Sequence, residues 1–513
     1  MIDAPAPRYQ TVLVANRGEI AVRVMHTCRL LGITSVAVYS EADAEARHVR
    51  EADVAVCIGP AEATKSYLNI EAIIDAARRT GAEAIHPGYG FLSENAVFAR
   101  ACEDAGIDFV GPSADVLEGS GDKLVVKRRV AAAGVPVIPG PLEAVSEEAD
   151  LLTAAAAETG YPLLLKASAG GGGKGMRRVA DEADLLSAAE GARREAGGAF
   201  GNTELYLERM VQTARHVEVQ ILADVHGHVV VLGERDCSMQ RRHQKVIEEC
   251  PAPGLSDEVR ARLHAAGASA AKALGYTNAG TVEFLLEPSG AFWFLEVNRR
   301  LQVEHPVTEL CFGVDLVAWQ LRVAEGQSVE GLVGATRDGP RGCAMEARVY
   351  AEDPANGFIP SPGKILFARE PRGPGVRVDS ALLQTGEVSP FYDPMLAKVI
   401  VHAESRAAAM RGLDQALAEM VVIGIRTNIG FLRRLINHEV FQAVDLRVDW
   451  LDDQAELAAG NGSVAELAVL ALAAQELLPG GRASRRRRGH GGADAAPASP
   501  WETLSGFRHG GGA

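Results

Sequence analysis

The N-terminal part of this chain sets short apolar runs and helix-patterned stretches in strict alternation, and that alternation leaves few folds open. Residues 11–15 form an apolar run, Asn16-Arg17-Gly18 turns, and the next apolar residues fall at Ile20, Val24 and Leu31, the spacing of one helix face. Further strand-like runs follow at 35–38, 54–58, 83–85 and 108–110, with helical patterns between them. Strands that alternate with helices build a parallel, doubly wound sheet. Ligands bind such sheets at the carboxyl ends of the strands, where His86-Pro87-Gly88-Tyr89-Gly90 and Gly111-Pro112 stand. No Gly-x-Gly-x-x-Gly follows the first run, which disfavours a dinucleotide oxidoreductase.

A length of 513 residues suggests about three domains. We expect an N-terminal unit over 1–121, a second over 138–211, a larger one over 212–452, and a linker with the start of a further domain over 453–513. Apolar residues make up 47%, enough for a large core. The formal charge of −15 argues against a nucleic-acid or membrane-surface binder and leaves room for a local cationic pocket. The seven cysteines (Cys28, Cys57, Cys102, Cys237, Cys250, Cys311 and Cys343) form no Cys-x-x-Cys pair and read as free thiols in a reducing compartment. With neither a signal-peptide pattern nor a span-length apolar run, a cytoplasmic protein is expected. Past Leu451 come an alanine-rich helical pattern (464–478), Pro479-Gly480-Gly481, four arginines (485–488) and a Gly/Ala/Pro stretch ahead of Trp501, which read as a linker.

Several constellations carry chemistry that a folding core does not need. Gly170-Gly171-Gly172-Gly173-Lys174-Gly175 can wrap backbone N–H groups around phosphate oxygens, or can serve as a plain linker. It is not a Walker A loop, because Ser168 stands where that motif needs glycine and Gly175 where Ser or Thr must follow the lysine. Lys166 precedes it at the end of an expected strand. Residues 281–287 and 292–298 read as two strands about the turn Pro288-Ser289-Gly290, a pairing that sets Glu283 opposite Glu296. Opposed side chains lie about 4.5–5.5 Å apart at Cβ, so two carboxylates there repel unless a cation lies between them. Asn298, two residues on, shares their face, and this oxygen set suits Mg²⁺ or Mn²⁺; two solvated edge glutamates are the alternative. Arg300, Gln302 and Glu304 alternate and are expected to continue that face. A guanidinium and an amide can hold a planar oxyanion such as bicarbonate, with a carboxylate beside them as general base; the alternative is a surface salt-bridge strip. The polar stretch from Glu234 to Lys245 lines an anion pocket or forms a mobile charged loop. His216 and His243, taken singly, read as structural.

At these residues the chain resembles biotin carboxylase, an ATP-grasp enzyme, and in particular the biotin-carboxylase part of an acyl-CoA carboxylase α subunit. The matching segments run in order from about residue 10 to 452: Ala15-Asn16-Arg17-Gly18-Glu19, His86 to Glu94, Gly121-Asp122-Lys123, Lys166 with the glycine run, Glu234 to Lys245, Arg300 to Glu309, and Glu346 to Pro354. The resemblance implies an α/β and α+β fold: a doubly wound pre-ATP-grasp domain, an ATP-grasp lid and core, and a C-terminal biotin-carboxylase domain. It implies a ligase reaction in which bicarbonate attacks the γ-phosphate of ATP and the resulting carboxyphosphate yields CO2 for N1′ of biotin. Carried over by position, Lys123, Lys166, Gly172, Gly173, Glu208, Arg209, Val211, His216, Gln240 and His243 contact the nucleotide. Glu283, Glu296 and Asn298 hold magnesium or manganese. Lys245, Arg300, Gln302 and the Val303 backbone hold bicarbonate, Glu304 is its base, and Arg348 stabilises the biotin enolate. The implied partners are a biotin carboxyl carrier protein or domain and a carboxyltransferase subunit, with a homo-oligomer expected and no nucleic acid or membrane.

Three departures stand out. Arg209 replaces the family's usual lysine, Arg299 a small residue, and Cys343 a histidine. Arg299 is expected to point to the opposite strand face. No Met-Lys-Met biotin-attachment triplet occurs in the sequence, so the carrier is expected to act in trans or to belong to a longer chain. Two other readings remain: a carbamoyl-phosphate synthetase-like carboxyphosphate former, which lacks the Arg-Leu-Gln-Val-Glu-His-Pro run, and a non-catalytic assembly module.

Overall fold

The alternating N-terminal runs form a five-stranded sheet in the order 54–59, 34–40, 11–14, 84–86, 108–109, with every pair parallel. The computed structural model describes residues 8–168, 175–337 and 339–459. The first strand, Thr11–Val14, lies at the centre of this sheet and is buried on both faces. Val12 and Val14 join one apolar cluster with the helix Gly18–Leu31, while Leu13 and Ala15 join another with Val36, Val38, Ile73 and Ile85. Two-sided burial is why its sequence is an unbroken apolar run. At its carboxyl end Asn16 Nδ2 donates to the carbonyls of Pro87 and Tyr89, both at 2.7 Å, and folds the 87–93 loop over the sheet. Gly88 has φ +62, and a Cβ there would meet Asn16 Nδ2 at 3.0 Å. The loop therefore needs glycine at that point.

The second unit is a three-stranded antiparallel sheet with Leu163–Ala167 between Arg177–Val179 and Leu205–Arg209. Helices Ala149–Thr159 and Glu182–Phe200 cover it through Leu152, Ala156, Leu185 and Ala189. Gly172 and Gly173 lie outside the described residues, as do the 464–478 pattern, the arginines 485–488 and Trp501.

An eight-stranded antiparallel sheet carries the rest, in the order 292–298, 278–286, 215–223, 229–241, 244–250, 343–350, 395–403, 376–380. Helix Asp257–Leu274 packs on one end of it through Leu263, Ala266 and Ala270 against Val217, Val219 and Ile221. Helix Arg406–Glu419 packs on the other end through Leu413 and Leu417 against Val399, Val401 and Met345. The class is α/β followed by α+β, as expected.

Two local expectations are corrected. The polar stretch 234–245 is no loop: it spans strands Val229–Arg241 and Gln244–Cys250, joined by Arg242 and His243 in left-handed backbone (φ 48 and 67). The strand bearing Glu296 ends at Asn298, so Arg300, Gln302 and Glu304 do not continue its face. They lie on a loop that runs into helix His305–Phe312, with Glu304 as the residue before the helix and Pro306 in its first turn. The ladder stops there because the backbone N–H of Arg299 donates to Glu94 Oε1 instead of to a neighbouring strand.

Candidate active site

One face of the large sheet gathers the charged residues. Strand Arg215–Ala223 pairs with Asn278–Leu286, and its polar positions His216, Glu218 and Gln220 alternate with buried Val217, Val219 and Ile221. On the next strand pair Glu283 stands opposite Glu296 and Thr281 opposite Asn298, the expected pairs, reached through a bulge beyond the Phe284–Phe294 pair. The Lys245 ammonium bridges three carboxylates: Glu218 Oε2 at 2.5 Å, Glu304 Oε1 at 2.7 Å and Glu283 Oε1 at 2.9 Å. Behind it the fully buried Arg235 donates to Glu218 Oε1 at 2.5 Å, and to Gln220 and Thr308 at 2.8 Å each. Asn298 Nδ2 donates to Glu283 at 2.7 Å, and Gln302 Nε2 approaches the same oxygen at 3.3 Å.

The loop residues converge on this cluster through ion pairs rather than through strand pleat. Arg300 Nη1 donates to Gln302 Oε1 at 2.9 Å and its Nη2 to Asn298 Oδ1 at 3.2 Å. Arg348 donates to Glu304 Oε2 at 3.0 Å and to Glu248 at 2.5 Å. The strand pairing sets Arg348 opposite Lys398, whose buried ammonium donates to the carbonyl of Val303 at 2.9 Å. Two cations from adjacent strands thus grip consecutive residues, Val303 by its backbone and Glu304 by its side chain.

The charges set the ionisation. Burial opposes the charge of Glu304, but Lys245, Arg348 and Arg235 outweigh it and hold the carboxyl well below its usual range. Lys245 is itself pushed up, because Glu218, Glu283 and Glu304 overcome its burial. Glu283 is likewise held down: burial opposes it, and Lys245 and His216 prevail. Glu296 moves the other way, raised by partial loss of hydration at the edge of the site and then by the negative Glu283 beside it. Glu248 is pushed up to about 7, by burial first and with Glu304 adding to it against Arg348. An opposed carboxylate pair with one member driven toward its proton is a place where a cation would be welcome.

That donor set fits a hard divalent ion. Glu283 and Glu296 offer carboxylate oxygens, Asn298 offers an amide oxygen, and Glu296 is 43% exposed, open to a phosphate-bearing ligand. The buried groups His216–Glu218–Glu283 and Glu218–Cys237–Glu304 also bring ligand-type atoms within 4.8 Å. Lys245 already fills the space between those carboxylates, so they are the poorer fit.

The expected nucleotide residues lie alongside. Glu208 accepts from Lys166 at 2.5 Å and from Lys127 at 2.8 Å, and Lys123 Nζ is 3.9 Å from Glu296. Gln240 Nε2 lies 2.8 Å from His216 Nδ1, and His216 Nε2 lies 3.2 Å from Glu283. Arg209 and Val211 line a cavity of about 400 Å³ with Tyr161, Pro162 and Met210. Arg209 pairs with Glu287 at 3.0 Å and stacks over Trp293, which settles how an arginine is accommodated there. His243 is exposed on the hairpin turn that follows the strand carrying Gln240. The sequence reading missed Glu218, Arg235, Glu94, Glu248 and Lys398. A usable signal existed for Glu218: polar residues at period two inside an otherwise apolar strand. Lys398 gave none beyond a lone lysine in an apolar run.

Comparison with known proteins agrees with this geometry. Residues 8–117 match the family model described as biotin carboxylase, N-terminal domain; residues 122–332 match carbamoyl-phosphate synthase L chain, ATP binding domain; and residues 346–453 match biotin carboxylase C-terminal domain. The chain is 48% identical over 454 residues to the biotin carboxylase of Halalkalibacterium halodurans, covering 88% of this chain and 99% of that protein. It is 46% identical over 498 residues to the mitochondrial methylcrotonoyl-CoA carboxylase subunit alpha of Dictyostelium discoideum, covering 97% of this chain and 70% of that protein. Among solved structures, the biotin carboxylase domain dimer of Hydrogenobacter thermophilus 2-oxoglutarate carboxylase, in complex with MgADP, ADP and bicarbonate, superposes with a TM-score of 0.83 at 43% identity, covering 88% of this chain and 99% of that one. An ATP-grasp core flanked by these two domains, with identity sustained along nearly the whole of a relative, makes this chain a member of the biotin carboxylase family.

Proposed function

We propose that this chain carries out the ATP-dependent carboxylation of biotin with bicarbonate, and that the residues named above divide the work as follows. The observation that carries the reading is the convergence of Lys245, Arg300, Gln302, Glu304 and Arg348 on one pocket beside the Glu283–Glu296 pair. Arg300, Gln302, Lys245 and the Val303 backbone hold bicarbonate. Glu304 takes its hydroxyl proton, and the freed oxygen attacks the γ-phosphorus while the bond to the ADP oxygen breaks. In-line phosphoryl transfer needs positioning and charge neutralisation more than covalent chemistry. Lys123 and Lys166 supply that neutralisation to the phosphates, and Glu208 sets the position of Lys166. A magnesium or manganese ion held by Glu283, Glu296 and Asn298 would add Lewis-acid neutralisation of the phosphate oxygens.

Carboxyphosphate then loses its carboxyl–oxygen bond to give CO2 and phosphate. The phosphate released in that step takes the N1′ proton of biotin, and N1′ bonds to the CO2 carbon. Arg348 faces the negative charge that develops on the biotin ureido oxygen. Arg209, Val211, His216, Gln240 and His243 contact the nucleotide, together with Gly172 and Gly173, whose contacts fall outside the described residues. The unit 138–211 acts as a lid that keeps water from carboxyphosphate. Biotin arrives on a carrier protein or domain and leaves toward a carboxyltransferase, and the enzyme works as a homo-oligomer. Among the described residues no helix is long and apolar enough to cross a membrane. With free thiols among the described cysteines, we place the enzyme in the cytoplasm.

The test is ATP hydrolysis by the full chain with and without bicarbonate and free biotin. We expect ADP release that requires bicarbonate and rises with biotin. A folded protein whose hydrolysis ignores biotin would favour the carbamoyl-phosphate-like reading. One with no hydrolysis would favour a non-catalytic subunit.

A further inference from the structure

Arg299 neighbours Arg300 in sequence yet is turned away from the anion pocket. Its backbone N–H donates to Glu94 Oε1 at 2.9 Å, and its Nε approaches the same oxygen at 3.4 Å. Its Nη1 donates to the carbonyl of Leu117 at 2.7 Å, with Ser120 Oγ at 3.5 Å. Leu117 lies in helix Ala114–Gly119, so the guanidinium is anchored to an element of the N-terminal unit just ahead of Asp122 and Lys123. The second Glu94 oxygen meets Arg300 Nε at 3.3 Å. One carboxylate therefore serves two guanidiniums. Among the described residues Glu94 is the one carboxylate paired with Arg300, and so the internal competitor of any anion that Arg300 is to bind.

A carboxylate shared by two cations competes less strongly for either. Removing the Arg299 charge would leave Glu94 with Arg300 as its remaining cation and strengthen that pair, at the expense of an incoming anion. It would also strip a positive charge from the edge of an anion site. Both effects act in the same direction. We propose that Arg299 is a positioning residue that sets the affinity for bicarbonate, by occupying Glu94 so that Arg300 stays available to the anion. This rests on the reading that Arg300 holds bicarbonate.

The experiment is steady-state ATP hydrolysis by the full chain at varied bicarbonate and varied ATP. Arg299→Ser should raise the bicarbonate KM roughly three- to five-fold, the upper end of the scale of a partly exposed charge pair, and leave the ATP KM within about 1.5-fold. Arg299→Lys should restore part of the affinity. In a Glu94→Gln background Arg299→Ser should raise the bicarbonate KM much less, leaving only the loss of a distant positive charge. A bicarbonate KM unmoved by Arg299→Ser, a rise shared equally with the ATP KM, or a rise of the same size in the Glu94→Gln background would each overturn the proposal. Arg299 is only partly buried, and Arg299→Gln offers a second neutral variant should the serine form fold poorly. Arg300→Ala separates the two claims. If it raises the bicarbonate KM while Arg299→Ser does not, only the positioning role fails. If it leaves that KM unchanged, the bicarbonate assignment itself fails.

Discussion

At the scale of single residues the site works by over-determination. Glu304 is held by Lys245 on one oxygen and Arg348 on the other, so the carboxylate proposed as the base is kept ionised and also fixed in direction. Arg348 holds this carboxylate and is proposed to face biotin, and removing it should expose which task dominates. Arg348→Ala is expected to lower biotin carboxylation by about 10²-fold or more, the cost of losing one preorganised oxyanion partner. Bicarbonate-dependent ATP cleavage without biotin should fall much less. Equal loss in both assays would contradict the assignment. Glu296→Gln removes one of two opposed carboxylates and should abolish metal-dependent ATP turnover and weaken Mn²⁺ binding in the presence of nucleotide. Since Glu296 is half-exposed and raised toward its protonated form, the melting temperature should hardly change. Turnover near that of the unaltered protein would remove Glu296 from the metal site.

At the scale of elements, what was legible in the sequence is what local pattern controls. The two glutamates stand opposite each other as the turn suggests, but turn geometry alone does not put them there: beside the turn Phe284 pairs with Phe294, and a bulge at Leu295, which no local pattern announces, brings Glu296 to Glu283. The N-terminal sheet was readable from alternation, because parallel strands buried on both faces are apolar throughout. The 299–304 loop reads as strand in the sequence, because an i, i+2 pattern of polar residues looks the same whether pleat or ion pairing aims the side chains. The polar 234–245 stretch was legible as chemistry but not as strand, since its charges are satisfied by partners remote in sequence such as Glu218 and Glu304. Packing between elements was invisible for the same reason. Gly267 shows it: a Cβ there would meet Val219 Cγ1 at 2.7 Å, so helix Asp257–Leu274 sits on the strand carrying His216 and Glu218 at a distance only glycine allows. Gly267→Ala should destabilise the fold by about 1–3 kcal/mol in chemical denaturation. A neutral or stabilising effect would show that the helix is free to shift.

At the scale of the whole molecule, buried charge joins the catalytic sheet to the N-terminal unit. Lys398, which holds the Val303 carbonyl, lies 3.3 Å from Glu19 on helix Gly18–Leu31 and 3.6 Å from Asp379, which Arg377 pairs at 2.8 Å. Burial pushes Glu19 up to about 7, against the pull of Lys398 and Arg377 and with Asp379 adding to the rise. The sign follows from proton counting. Between the unfolded value near 4.5 and about 7 the folded state keeps a proton that the unfolded chain has lost, so stability falls as pH rises through that window. Glu19→Gln mimics the protonated form. Relative to the unaltered protein it should be near neutral at pH 5 and more stable by on the order of 2 kcal/mol at pH 8. A difference independent of pH would refute this. The claim on which the assembled site depends is that bicarbonate itself attacks ATP, and oxygen tracing tests it most directly. With bicarbonate carrying ¹⁸O, biotin present and the phosphate analysed by mass, the account predicts one labelled oxygen per inorganic phosphate, left by the carboxyphosphate bond; phosphate free of label would mean that water, not bicarbonate, is the nucleophile.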